Sequence, residues 1–121
     1  MENNIERQVW ANYLDGFNKR NELRPTWLQV IGGTGAQSEE QGLPFAGISL
    51  EERGANAPRV QIILGAEGVR SRHLTHMISG VARMTPHVGS DGREDAIEFV
   101  DKDGEASLLI FRHRARMAAH V

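Results

Sequence analysis

A chain of 121 residues, 40% hydrophobic and 25% charged, has the size and composition of one soluble globular domain, which excludes a disordered chain and a membrane-spanning bundle. A formal net charge of -2 disfavours a general polyanion binder, because such a protein needs a basic face to release counterions. With no cysteine, disulfides, thiolate metal sites and a thiol nucleophile are excluded as well.

The first residues, MENNIERQ, hold no apolar core of a signal peptide, and no apolar run approaches the length of a bilayer crossing, so a cytoplasmic protein is expected. Ile5, Val9, Tyr13 and Phe17 then recur every four residues with Trp10 and Leu14 beside them. That spacing predicts an amphipathic helix from Asn4 to Arg20, with Asn3 as its cap and Glu6 completing a variant capping box. Gly16 inside it costs about 1 kcal/mol relative to Ala, which points to a close approach by another element.

Thr26 to Ile31 reads as a strand that ends at the glycines, and Pro44 opens a second in which Ala46, Ile48 and Leu50 share a face. Val60, Ile62 and Leu64 mark a third after the loop Arg53 to Pro58, so an antiparallel meander is expected. Arg70 to Val88 mixes two periods: Leu74, Met77, Ile78, Val81 and Met84 suit a helix, while the β-branched residues and Gly80 suit strands. One helical turn followed by strand, closed by Pro86, is the favoured reading.

Ala96 to Lys102 and Glu105 to Arg112 flank Asp103-Gly104, a tight-turn dipeptide, and predict a hairpin. A two-residue turn sets Lys102 opposite Glu105, Phe99 opposite Leu108 and Ile97 opposite Ile110; a three-residue turn would set Asp101 against Glu105, like charge against like. The two-residue register is therefore preferred. The expected fold is α+β, one domain over residues 1–121: an N-terminal amphipathic helix packed on a curved antiparallel sheet of five or six strands, with an open small barrel as the alternative.

The stretch QVIGGTGAQ looks most like a phosphate loop, but it lacks the Lys and Ser/Thr of that motif and runs into Glu39-Glu40, too short a segment for a crossover helix. A flexible inter-strand loop is the better reading. His73 and His76 would share a helix face and offer two nitrogens to a metal, with His87 as a third ligand only through a fold-back. Ser71, Ser79, Ser90 and Ser107 have no nucleophile elbow around them, and Glu39-Glu40 and Glu94-Asp95 read as solvated charge. Arg112, Arg114 and Arg116 form a basic end that reads first as a solvated strand end, and Trp10 and Trp27 read as core.

The early aromatic helix, the Gly35-Ala36-Gln37 turn, Pro44-Phe45-Ala46-Gly47-Ile48-Ser49, Leu74-Thr75-His76-Met77-Ile78 and the closing run Asp103 to Arg112 together resemble the bacterial domain-of-unknown-function family numbered fifty-three thirty-five, over nearly the full chain. The resemblance implies a one-domain bacterial protein and brings no activity, cofactor or catalytic residue. From the residues themselves, the leading expectation is a non-enzymatic binding or protein-interaction module that self-associates through a sheet edge or the helix face, without nucleic-acid or membrane partners. The alternative is a small metal-binding protein or enzyme using His73 and His76.

Overall fold

A computed structural model describes residues 4–33, 35–65 and 73–112. A 3-10 turn, Arg7–Val9, leads into helix α1, Trp10–Asn21, and seven strands follow: β1 Pro25–Gly32, β2 Gly35–Glu51, β3 Arg59–Leu64, β4 Leu74–Ile78, β5 Val81–Val88, β6 Glu94–Asp101 and β7 Ala106–Phe111. All neighbours are antiparallel, in the order β4-β3-β2-β1-β7-β6-β5. Two meanders, β1 to β4 and β5 to β7, are thus joined by the β1–β7 ladder. The strand count exceeds the expected five or six because Leu74–Ile78, expected as a helical turn, is β4, and the acidic stretch after Gly35, expected as a loop, is the first half of β2 and pairs with β1.

β2 changes partner midway. Its residues up to Pro44 lie against β1, and from Phe45 onward it lies against β3; counted as two segments, it brings the described strands to eight. Where β1 has left, α1 takes its place at the edge of β2. Asn18 donates from Nδ2 to the Ile48 carbonyl at 2.9 Å, and its Oδ1 accepts from the Ile48 N–H at 2.9 Å, so one side-chain amide meets both backbone groups as a strand would.

The sheet curls until its two edge strands are separated in sequence by Ser79 and Gly80 alone, yet no ladder joins β4 to β5, so the barrel is open. α1 fills the inside. Trp10, Leu14 and Phe17 point into a core with Leu28, Phe45, Ile62, Met84, Ile97, Phe99, Leu109 and Phe111, and the β3 alternation of Val60, Ile62 and Leu64 buries as its sequence pattern implies. The helix begins later than expected, since residues 7–9 are a 3-10 turn; Asn3 lies outside the described residues.

Two other expectations change. No helical turn occurs at Leu74–Ile78: that segment is β4, because β3 offers a ladder in which Leu74, His76 and Ile78 face inward. The β6–β7 hairpin takes the three-residue turn, with Phe99 opposite Ser107 and Ile97 opposite Leu109. The like-charge objection to Asp101 beside Glu105 fails because Asp101 Oδ1 accepts the backbone N–H groups of Asp103 and Glu105, both at 2.9 Å, while Gly104 takes the positive φ of 91° that the bulge requires.

Replacing Asn18 with Ala removes both edge contacts and leaves the Ile48 N–H and C=O without them. We expect a loss of about 1–3 kcal/mol in urea unfolding, and Asn18→Asp, which sets a carboxylate oxygen against the Ile48 carbonyl in place of the donor, should cost at least as much.

Candidate functional site

The helix is also held by charge. Glu94, at the start of β6 with its side chain 8% exposed, accepts from Tyr13 Oη at 2.8 Å, from Arg20 Nε and Nη2, and from Asn21 Nδ2 at 3.2 Å. Arg24 Nη1 bonds the Glu94 carbonyl at 2.8 Å and Asn21 Oδ1 at 2.7 Å, and its guanidinium lies 4.5 Å from the Phe111 ring centroid. Burial pushes the Tyr13 hydroxyl up, and the Glu94 carboxylate adds to that rise. Burial would also raise the Glu94 carboxyl, but its bonds from Arg20, Tyr13 and Asn21 outweigh burial and hold it below its usual range. Every group here ties α1 to the sheet, so the cluster is structural. The sequence pattern reads Glu94 as solvated charge; Tyr13 and Arg20, seven apart on one side of α1, are the signal for a buried acid beside the helix, and Arg24 joins the cluster from the turn after it.

His73 and His76 do not come together. With Leu74–Ile78 a strand, residues three apart lie on opposite faces: His73 is exposed on the outer side, while His76 points inward and its Nε2 lies 3.0 Å from Ser107 Oγ. Ser107 is 2% exposed and His76 half-buried, so this His–Ser contact lies on the inner side of the sheet. Among the described residues no group of three or more His, Asp or Glu is placed to hold a metal. The glycines of QVIGGTGAQ make the β1–β2 turn, with Gly32 opposite Gly35, and the neighbouring depression is lined by Asp103 and Glu105, the wrong charge for phosphate. Trp27 lies on the outer face under the Arg112 guanidinium, rather than in the core; Ser71, Arg114 and Arg116 fall outside the described residues.

Two features on one side of the molecule stand out, a groove and a sheet edge. A groove of about 580 Å³ is lined by Glu22, Leu23, Ala46, Ile63 and His73 above Phe45. At its rim, residues 21–24 form a turn closed by the Arg24 N–H on the Asn21 carbonyl, with Leu23 at φ 69° and 62% exposed. A turn that demands positive φ at its third residue favours Gly or Asn, so a bulky, solvent-facing Leu there is strained for no gain in burial.

The second feature is β4. Because Asn18 meets Ile48 from the side away from β3, Ile48 and Ile62 form a non-hydrogen-bonded pair, and strand alternation makes Ile62 and His76 a bonded one. The N–H and C=O of Thr75 and Met77 must then point off the sheet edge. Their side chains are exposed too, Met77 by 46%, and Ile63, opposite Thr75, lines the groove, so edge and groove adjoin. β5, the other edge, is guarded: it carries Arg83, Pro86 and two bulges, and the Ile5 N–H bonds the Met84 carbonyl at 2.9 Å. β4 carries no acidic, lysine or arginine side chain, no proline and no bulge.

The geometry defines an α+β protein in which one helix packs on an open, curled antiparallel sheet, with one guarded edge and one that no strand among the described residues covers. The chain belongs to the family described as a family of unknown function, DUF5335, whose model covers residues 1–120. No curated protein and no solved structure matches it.

Glu94→Gln should cost about 2 kcal/mol by weakening charge-assisted bonds. The depressed carboxyl also sets a sign: its contribution is present above the unfolded value near 4.5 and is lost as pH falls through the lower folded value. Chemical denaturation from pH 6 to pH 3 should therefore show the wild-type advantage over the variant shrinking towards the acid end. Leu23→Gly should raise stability by up to about 1 kcal/mol through relief of the positive φ, read as a higher urea midpoint.

Proposed function

We propose that the protein is a non-enzymatic protein-interaction module that takes up an extended polypeptide segment by strand addition at β4. The observation that carries this reading is the contrast between the two edges. β5 bears a proline, a charged side chain, bulges and a covering N-terminal segment, whereas β4 presents the sequence Leu-Thr-His-Met-Ile with outward backbone groups at Thr75 and Met77. An edge that no strand among the described residues covers, beside one so well protected, is a template for pairing. The adjoining groove supports the reading, since an added strand that runs past Thr75 brings its side chains toward Ile63, Ala46 and Leu23.

Thr75→Pro tests it, because proline deletes an N–H that the β3 ladder does not use; Met77→Lys, an edge lysine, is the companion variant. Native mass spectrometry of protein purified without added ligand should show an associated polypeptide chain with the wild type. Both variants should lose it by at least about tenfold while keeping the wild-type circular dichroism spectrum. An associated chain retained by both would move the interface off β4, and an increment of metal or small-molecule mass in place of a chain would count against the module.

A further inference from the structure

The edge of β4 also specifies a partner, and this step rests on β4 being the pairing edge. We infer that the strand added there is β4 of a second copy, related by a two-fold axis at His76, with Thr75 of each copy opposite Met77 of the other.

The register follows from the backbone. Only odd-numbered residues of β4 turn their N–H and C=O outward, so a second antiparallel β4 can bond only where odd meets odd. A slip by one residue sets outward groups against inward ones and forms no bonds. A slip by two places Thr75 on Thr75 or Met77 on Met77 and carries the remaining outward residue past the end of the five-residue strand. Centring on His76 lets the outward donors and acceptors of Thr75 and Met77 in one copy meet those of Met77 and Thr75 in the other, four bonds in all.

The side chains agree with that register. On the outer face Thr75 lies beside Met77 of the second copy, which covers an exposed thioether and prolongs the apolar row that Ile63 begins. On the inner face Leu74 lies beside Ile78 of the second copy. Leu74–Ile78 holds no Asp, Glu, Lys or Arg, so no acidic or lysine and arginine charges are set opposite one another. One five-residue strand per copy buries less than the roughly 1,200 Å² of stable complexes, so the dimer is weak and depends on concentration.

The chain has no cysteine, so an introduced thiol is the sole one. Thr75→Cys and Met77→Cys, purified separately, are oxidised alone and as an equimolar mixture at several hundred micromolar, and the products are sorted by intact mass. Directly opposed residues about 5.5 Å apart lie within disulfide reach, whereas residues two positions off do not. The mixture should yield the heterodimer, one Thr75→Cys chain linked to one Met77→Cys chain, at least about fivefold above either self-linked product. Self-linking by one variant alone would overturn the register. No cross-link, with an unrelated chain bound by the wild type and lost on Thr75→Pro, would overturn the second copy as occupant while the β4 reading stands. A dimer in sedimentation equilibrium that survives Thr75→Pro and Met77→Lys would overturn both.

Discussion

Phe17 meets the ring of Phe45 at a centroid separation of 5.6 Å and that of Phe111 at 5.7 Å, and Phe45 and Phe111 meet each other at 5.5 Å. The three residues come from the helix, from the point where β2 passes from β1 to β3, and from the end of β7. A curled sheet that does not close cannot fill its own interior, because the strands that would complete the wall are missing. The aromatic triangle supplies that filling at the place where both halves of the sheet converge on the helix. The edge-on contacts of Phe45 with Phe17 and with Phe111 add a directional preference to the burial.

Around that triangle the helix does the work of an absent strand. Asn18 answers the backbone of Ile48, and Glu94 gathers Tyr13, Arg20 and Asn21 along the next stretch of α1. A buried carboxylate is tolerated only when its lone pairs are occupied, and here three helix side chains occupy them. Gly16 belongs to the same device: a Cβ there would come within 2.6 Å of Arg20 Nη1, on the path the guanidinium takes to Glu94. The close approach that the sequence implied is therefore internal to the helix, and the loss in helix propensity is offset by an ion pair.

Legibility in the sequence followed the range of the interaction. The apolar face of α1 and the alternation of β3 come from neighbours a few positions apart, and both could be read directly. β4 could not, because five residues with Leu, Met and Ile at mixed spacing satisfy a helix as well as a strand until β3 supplies a ladder. The β6–β7 register went astray on a local charge argument that ignored the backbone donors around Asp101. The candidate site was the least legible part. A bare edge is a property of strand order, and nothing in Glu22-Leu23-Arg24 marks Leu23 for a conformation normally left to glycine.

The β1–β7 ladder joins residues 25–32 to residues 106–111, so its two strands lie near opposite ends of the chain. During synthesis β1 through β4 leave the ribosome long before β7 exists, so β1 spends that interval as an exposed strand with Trp27 and Ile31 uncovered on its outer side. Contacts of such long range make for slow folding and a window in which edges can mispair. The nascent chain thus faces the greater hazard at the strand that ends up central in the finished sheet.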